Sequence, residues 1–233
     1  MSELSQAFAT AFALILGLDA QLLEIVGLSV RVSLTALVIA SMLALPLGAA
    51  LAVYRFRGRG LSIVALNALM GLPPVVVGLL VYLLLSRSGP LGDLGLLFTP
   101  SAMVIAQVVL IAPIVAALAR QSIEDLWAEY EEQLRSLGTT ATRALPTLLW
   151  EGRHSLFTCV LAGFGRAIAE VGAVIIVGGN IAHVTRVMTT AITLETRKGD
   201  LALALALGIV LLLVSAVVNA AAAGVRASTE ARV

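Results

Sequence analysis

The chain has 233 residues, of which 60% are hydrophobic and only 12% are charged, and its mean hydropathy is +1.03. Soluble domains are about one-quarter charged, so this composition excludes an ordinary soluble protein and predicts an integral membrane protein in contact with a lipid bilayer. The formal net charge of +1 says little about partners, because the placement of the basic residues matters more than their sum. No nucleic-acid partner is expected.

The first residues predict a helix that lies on the membrane surface. Residues 4–16 are too few to cross a bilayer, but they carry one apolar stripe, formed by Leu4, Phe8, Phe12, Ile15 and Leu16. Gly17 suits the end of this helix, and Asp19 suits the cap of the next one. The first basic residue is Arg31, so we expect no cleaved signal peptide, and the first helix is expected to direct insertion.

Five segments are apolar enough to cross a hydrocarbon core, which requires about 20 residues. They lie near 25–53, 61–86, 101–120, 155–178 and 201–224. Three of them contain helix-breaking prolines, namely Pro46, Pro73, Pro74 and Pro113. Such residues are tolerated where neighbouring helices or a water-lined cavity satisfy the freed backbone groups, so the kinks slightly favour a transporter.

The fifteen basic residues are distributed unevenly around these spans. Nine flank one side: Arg55, Arg57, Arg59, Arg120, Arg135, Arg143, Arg153, Arg226 and Arg232. Four flank the other: Arg87, Arg186, Arg197 and Lys198. Because cytoplasmic loops carry the excess of Lys and Arg, we expect a multi-pass protein of the cell inner membrane with its N-terminus outside and its C-terminus in the cytoplasm.

The longest polar stretch, residues 121–154, predicts two helical segments. Ser122 and Asp125 have the form of a capping box, and Gly138 stands where a left-handed residue would end a helix over 123–137. The residues after Gly138 predict a second short helix that Pro146 interrupts. One interpretation is an amphipathic cover for the end of the bundle.

A second interpretation comes from family pattern. The heptapeptide from Glu132 to Gly138, EQLRSLG, resembles the E-A-A-x-x-x-G signature of ABC importer permeases, in which cytoplasmic coupling helices dock into an ATPase. Residues 71–92 are similar to the second span of molybdate permeases, and residues 163–181 and 185–209 are similar to tungstate-specific permeases. The family's I-x-L-P ending is absent, since Trp150 and Glu151 stand where Leu-Pro would fall.

This resemblance, which covers the chain from about residue 25, implies the architecture and partners. The fold would be all-α, a single type I ABC importer transmembrane domain over 1–233 with five spans, an N-terminal interfacial helix and a coupling loop at 121–154. The residues implied in ATPase coupling are Glu132, Arg135, Leu137, Gly138 and Thr139. The implied cargo is tungstate, with molybdate next and sulfate third, and the implied assembly is a homodimer with two cytoplasmic ABC ATPase subunits and an extracytoplasmic tungstate- or molybdate-binding protein.

The chain itself carries no G-x-x-x-x-G-K-[ST] phosphate loop, so we expect a non-enzymatic pore subunit with no cofactor of its own, ATP and Mg being held by the ATPase. An intramembrane enzyme is disfavoured because G-x-S-x-G and H-E-x-x-H are absent. A secondary transporter is disfavoured by small size and by the lack of a detectable inverted repeat. We expect no metal site, because His154 and His183 have no ligand-spaced neighbours, and Cys159 is expected to be a buried small hydrophobe.

Arg166 and Glu170 are two charges near the middle of the fourth predicted span. An unpaired charge at that depth costs about 2.5 to 3.5 kcal/mol, and residues four apart on a helix can pair. One interpretation is a structural pair that holds the helix in place. The other places them on the translocation pathway with Pro73 and Pro74, where Arg166 offsets the charge of an oxyanion and Glu170 prevents it from binding too tightly.

The polar segment between the last two spans carries three cations, Arg186, Arg197 and Lys198. These side chains would either raise the local oxyanion concentration or contact a delivering protein, or they would simply be solvated. The sequence does not decide between these interpretations.

Overall fold

The computed structural model describes residues 3–230 as helices joined by short turns, with no strand in that range. The helices are α1 (Glu3–Leu16), α2 (Ala20–Val53), α3 (Arg59–Met70), α4 (Pro74–Leu85), α5 (Pro100–Ser136), α6 (Ala141–Glu151), α7 (Arg153–Ile168), α8 (Gly172–Gly178), α9 (Met188–Lys198) and α10 (Leu201–Glu230). A short 3-10 helix at Gly92–Leu94 precedes α5. Arg232, which the orientation prediction counts, lies outside the described residues, as do the side chains of Leu4 and Arg226.

The structure contains three single helices and two bent helix pairs where the sequence predicts five spans. The helices α2, α5 and α10 are long and apolar enough to cross a membrane, whereas α3 with α4 and α7 with α8 form pairs bent by 99° and 58°. The total is five if each bent pair is one broken span, in agreement with the predicted number. The helix α1 precedes them as predicted, and the Asp19 carboxylate caps α2 by accepting the Leu22 N–H at 3.0 Å.

Two predicted helix boundaries are wrong. The helix α5 runs without interruption from its apolar part through Ser122 to Ser136, because residues 114–137 contain neither Gly nor Pro to break it. The helix α6 also continues through Pro146. A proline inside a helix costs about 3 kcal/mol, which the burial of Ala144 and Leu148 on either side of Pro146 helps to offset.

The chain divides into two compact units, of which the first comprises residues 3–36, 73–107 and 166–217. In this unit α4 packs against α8 at very short range. A Cβ added to Gly78 would lie 2.7 Å from the Ala173 Cα, so only glycine permits this approach. The helix α2 is tied to α9 by the Ser29 hydroxyl, which accepts the Met188 N–H at 2.7 Å.

The second unit comprises residues 37–72, 108–165 and 218–230. Its core joins the end of α2, the polar half of α5, α6 and the start of α7 through buried apolar side chains, which include Ala49, Val53, Ile123, Trp127, Leu148 and Leu156. The helices α2 and α5 cross closely, because a Cβ on Gly48 would lie 2.4 Å from the Ala116 carbonyl oxygen.

The contact at Gly78 leads to a test of the packing. We expect Gly78→Ala to destabilise the protein by about 1 to 3 kcal/mol, because the added methyl would force α4 away from α8. Thermal unfolding in detergent measures this change. The matched control is Gly208→Ala on α10, where a Cβ meets nothing within 4 Å and where alanine is expected to stabilise the helix by about 0.5 to 1 kcal/mol. Equal midpoints for the two variants would contradict the described packing.

Candidate translocation site and docking surface

The fourth span breaks at the charges that the sequence singles out. The helix α7 ends at Ile168, α8 begins at Gly172, and Glu170 lies in the connection between them. A break inside a span frees backbone N–H and C=O groups that lipid cannot satisfy, so polar side chains must do so.

Glu170 meets this requirement with its carboxylate. One carboxylate oxygen accepts a hydrogen bond from the Arg166 guanidinium, and the other accepts the Ala173 N–H at 3.1 Å, at the start of α8. The Glu170 backbone carbonyl accepts the Thr189 hydroxyl at 2.8 Å. A carboxylate at a helix N-terminus also interacts favourably with the helix dipole, so Glu170 holds the break in shape.

Arg166 and Glu170 differ in their exposure. The Glu170 side chain is only 3% exposed, whereas the Arg166 side chain is 35% exposed. The carboxylate is therefore buried, whereas the Arg166 side chain is partly exposed.

The second broken span meets the fourth at this point. Pro73 is extended, with φ −64° and ψ 124°, and Pro74 opens α4 in the first helical position, which proline favours. A Cβ on Gly172 would lie 2.9 Å from Val75 Cγ2 and 3.5 Å from Pro74 Cβ. The structure thus brings Pro74 and its neighbour to the start of α8, beside Glu170.

Sequence reasoning missed Gln107, which also serves the break. Its Nε2 donates to the Ala167 carbonyl at 3.1 Å, near the end of α7, and the residue is buried. Gln107 lines a small polar cavity of about 10 Å³ together with Ser33, Glu170 and Thr189, large enough for about one water molecule. The signal in the sequence is a glutamine in the middle of an apolar span.

The turn between α5 and α6, residues 137–140, has the geometry predicted at Gly138. This residue has φ +73°, and its N–H donates to the Arg135 carbonyl at 2.9 Å. The Thr139 N–H donates to the Leu134 carbonyl, also at 2.9 Å. These two bonds form a Schellman motif, which ends α5 sharply and satisfies two of its last carbonyls.

The side chains around this turn are available to a partner. Leu137 is 79% exposed, whereas Ile123 and Trp127, earlier in α5, are buried. Glu132 is exposed, and Arg135 pairs with Glu131 at 2.5 Å. Thr139 is half-buried. Leu137 is thus an exposed leucine among charged residues at this turn.

Arg59 joins the polar half of α5 to the end of α2, which sequence reasoning did not anticipate. Its guanidinium donates to the Leu51 carbonyl at 2.8 Å and to the Glu124 carboxylate at 2.7 Å. Glu124 also pairs with Arg120, one turn earlier on α5. Arg59 therefore satisfies a terminal carbonyl of α2 and links the end of α2 to the polar half of α5.

Replacement of Arg59 tests this link. We expect Arg59→Gln to destabilise the protein by about 1 kcal/mol, because a carbonyl at the end of α2 loses a charged donor and Glu124 keeps one cation in place of two. The control is Arg57→Gln, at an exposed arginine for which no ion pair is described. The unfolding midpoints of both variants are measured in detergent. Equal midpoints would contradict a stabilising role for Arg59.

The polar segment before α10 contains ion pairs that locally neutralise part of its positive charge. The buried Glu195 carboxylate pairs with Lys198 at 3.0 Å and lies 3.9 Å from Arg186. His183 contacts Glu24 at 2.9 Å. Among the described residues no group of three or more His, Cys, Asp or Glu side chains is arranged to hold a metal ion. Cys159 is buried, as expected.

Comparisons with known proteins identify the family of the chain. The model of the family described as "binding-protein-dependent transport system inner membrane component" matches residues 44–229. The chain is 41% identical to the tungstate uptake system permease protein TupB of Peptoclostridium acidaminophilum, over 94% of this chain and 96% of the relative. It is 39% identical to a probable anion ABC transporter permease protein of Haloferax volcanii, over 91% and 93% of the two chains. It is 42% identical to the TupB of Campylobacter jejuni, over 64% and 63%.

Proposed function

Because the chain belongs to the family of binding-protein-dependent transport inner membrane components, we propose that it is the membrane-spanning subunit of an ATP-driven importer that carries tungstate into the cell. One observation carries the choice of cargo: the similarity to a tungstate uptake permease extends over 94% of this chain and 96% of the relative. Both helix breaks and the turn at residues 137–140 lie within residues 44–229, which the family model matches.

The same proposal includes the assembly. One chain supplies five spans and one docking turn, so a pathway between two copies would present two turns to two ATPase subunits. The exposed Leu137 and the charges at Glu132 and Arg135 would contact the ATPase. A binding protein outside the cell would deliver the anion. The excess of basic residues on the docking side supports an outside N-terminus and a cytoplasmic C-terminus.

Within the membrane we propose that Arg166 attracts the transported anion. The partly exposed Arg166 side chain supplies a positive charge, and the buried carboxylate of Glu170 balances part of that charge. An oxyanion would thus be attracted without being held, as transport requires. Pro73 and Pro74 would contribute by setting the bend that places α4 beside α8.

Uptake in cells that depend on this chain tests the cargo. Accumulation of tungstate should be blocked by excess unlabelled tungstate and unaffected by an equal excess of sulfate, with molybdate competing more weakly than tungstate. A system in which molybdate or sulfate competes as well as tungstate would contradict the proposed cargo, although it would still be an importer of the same family.

A further inference from the structure

An apolar groove of about 590 Å³ runs along the second unit. One wall is the stretch of α2 from Leu37 to Pro46, and the other is formed by α6 and α7 between Leu149 and Val160. Apart from Ser41 and Arg153, the described lining is apolar, with Met42 and Phe157 exposed within it.

The length of the groove matches half of a bilayer. At a rise of 1.5 Å per residue, the stretch from Leu37 to Pro46 spans about 14 Å, and that from Arg153 to Val160 spans about 10 Å. One leaflet contributes about 15 Å of the ~30 Å hydrocarbon core. Leu37 of α2 lies beside Gly163, near the end of α7 that is farther from Arg153, because a Cβ on Gly163 would be 3.2 Å from Leu37 Cδ1. The groove can therefore hold the greater part of one acyl chain.

One end of the groove is lined by a cation, Arg153, which lies beside an aromatic ring. Arg153 donates to the Trp150 carbonyl at 2.7 Å, and its guanidinium lies 5.0 Å from the centre of the Trp150 ring. Trp150 itself is 67% exposed, as is common for tryptophan at the level of lipid headgroups. Within residues 3–230 no ion pair of Arg153 with a carboxylate is described, so several of its five N–H donors remain for another acceptor.

The wall of the groove also holds a hydroxyl that needs an acceptor. Ser41 Oγ is buried and has no hydrogen-bond partner in the described part of the chain. A buried hydroxyl without a partner is unfavourable, so a ligand that supplies an acceptor there is favoured. The ester oxygens of a phospholipid lie between its phosphate and its acyl chains, and they are acceptors.

We propose that this groove binds one phospholipid with an anionic headgroup, whose phosphate contacts Arg153 and whose acyl chain lies along α2 and α7. The pattern of one cation at one end of an otherwise apolar groove is complementary to a molecule with one charged end. A second copy of the chain would have to supply both an apolar ridge and a carboxylate at that end. The lipid would link the docking side of α6 to the span formed by α2.

Tryptophan fluorescence tests this site directly. The protein is the Trp127→Phe variant, in which Trp150 is the remaining tryptophan. It is placed in phosphatidylcholine nanodiscs that contain a few mole per cent of a lipid with brominated acyl chains. This lipid is phosphatidylglycerol in one series and phosphatidylcholine in the other. One arginine near an anionic lipid is worth about a fivefold preference, so quenching by brominated phosphatidylglycerol should reach half-maximum at about one-fifth of the concentration needed for the choline lipid.

The variant Arg153→Gln should remove this preference, whereas Arg143→Gln, at an exposed arginine of α6 that does not line the groove, should retain it. Equal quenching by the two lipids, or a preference that survives Arg153→Gln, would overturn the proposal. A second result would also overturn it: Val38→Cys forms a disulfide between two copies of the chain, and brominated lipid does not quench Trp150. A second copy would then occupy the groove. If Trp127→Phe does not fold, mass spectrometry of the unaltered chain should detect retained phosphatidylglycerol, and its absence would equally overturn the site.

Discussion

Replacing Arg166 alone is expected to damage both folding and transport, whereas replacing Arg166 and Glu170 together should restore folding only. The variant Arg166→Met leaves a carboxylate that is 3% exposed without its cation, which costs about 3 kcal/mol. In the double variant Arg166→Met/Glu170→Gln no charge is orphaned, and the glutamine oxygen can still accept the Ala173 N–H. If Arg166 attracts the anion, the rate of tungstate uptake by the double variant should nevertheless stay at least tenfold below that of the unaltered protein. A tenfold loss corresponds to a free-energy difference of about 1.4 kcal/mol.

The measurements are the unfolding midpoint in detergent and the initial rate of tungstate uptake. A suitable control is Arg31→Met, which removes an exposed cation from another span and for which no carboxylate partner is described. This control should leave both quantities near normal. A double variant that transports at the normal rate would show that the pair serves only to hold the break between α7 and α8, and the proposed role of Arg166 would be abandoned.

The variant Gly138→Val is expected to uncouple ATP hydrolysis from uptake. At φ +73° a β-branched side chain is strained, by roughly 1 to 2 kcal/mol, although a Cβ there would meet nothing within 4 Å. The strain therefore acts on the backbone of the turn that positions Leu137 and Thr139. Asparagine tolerates the left-handed region, so Gly138→Asn should retain most activity. Stimulation of ATPase activity by tungstate and its binding protein measures the coupling.

Gly199 provides a matched control for this experiment. It has φ +84°, and a Cβ there also meets nothing within 4 Å, but it lies between α9 and α10 and not at the docking turn. We expect Gly199→Val to lower stability by a similar amount and to leave coupling intact. If Gly199→Val uncoupled ATP hydrolysis from uptake to the same extent, the effect would reflect backbone strain at any left-handed glycine. A specific role of the turn after α5 in coupling would then be contradicted.

Local signals allowed the sequence to predict much of this fold. The five spans follow from apolar length, and the left-handed Gly138 follows from a glycine placed after a charged last turn. The Asp19 cap of α2 could be predicted because it involves only neighbouring residues. Each of these features depends on groups within a few residues of one another, which is the range over which sequence patterns are informative.

Features that depend on distant residues were not predictable. The 58° break between α7 and α8 depends on Glu170, Gln107 and Thr189, which stabilise it from three different parts of the chain, and residues 169–171 themselves contain neither glycine nor proline. The ion pair of Arg59 with Glu124 joins residues 65 positions apart. The helix start predicted at Ser122 was wrong for the opposite reason: the capping pattern was present, but nothing broke the helix before it.

The most direct test of the account is tungstate accumulation in proteoliposomes that contain this chain, its ATPase and its binding protein. We expect accumulation that requires ATP on the docking side and stops when the ATPase is omitted or when Gly138→Val replaces the unaltered chain. Tungstate accumulation by this chain alone, at the same rate with and without ATP, would contradict the account.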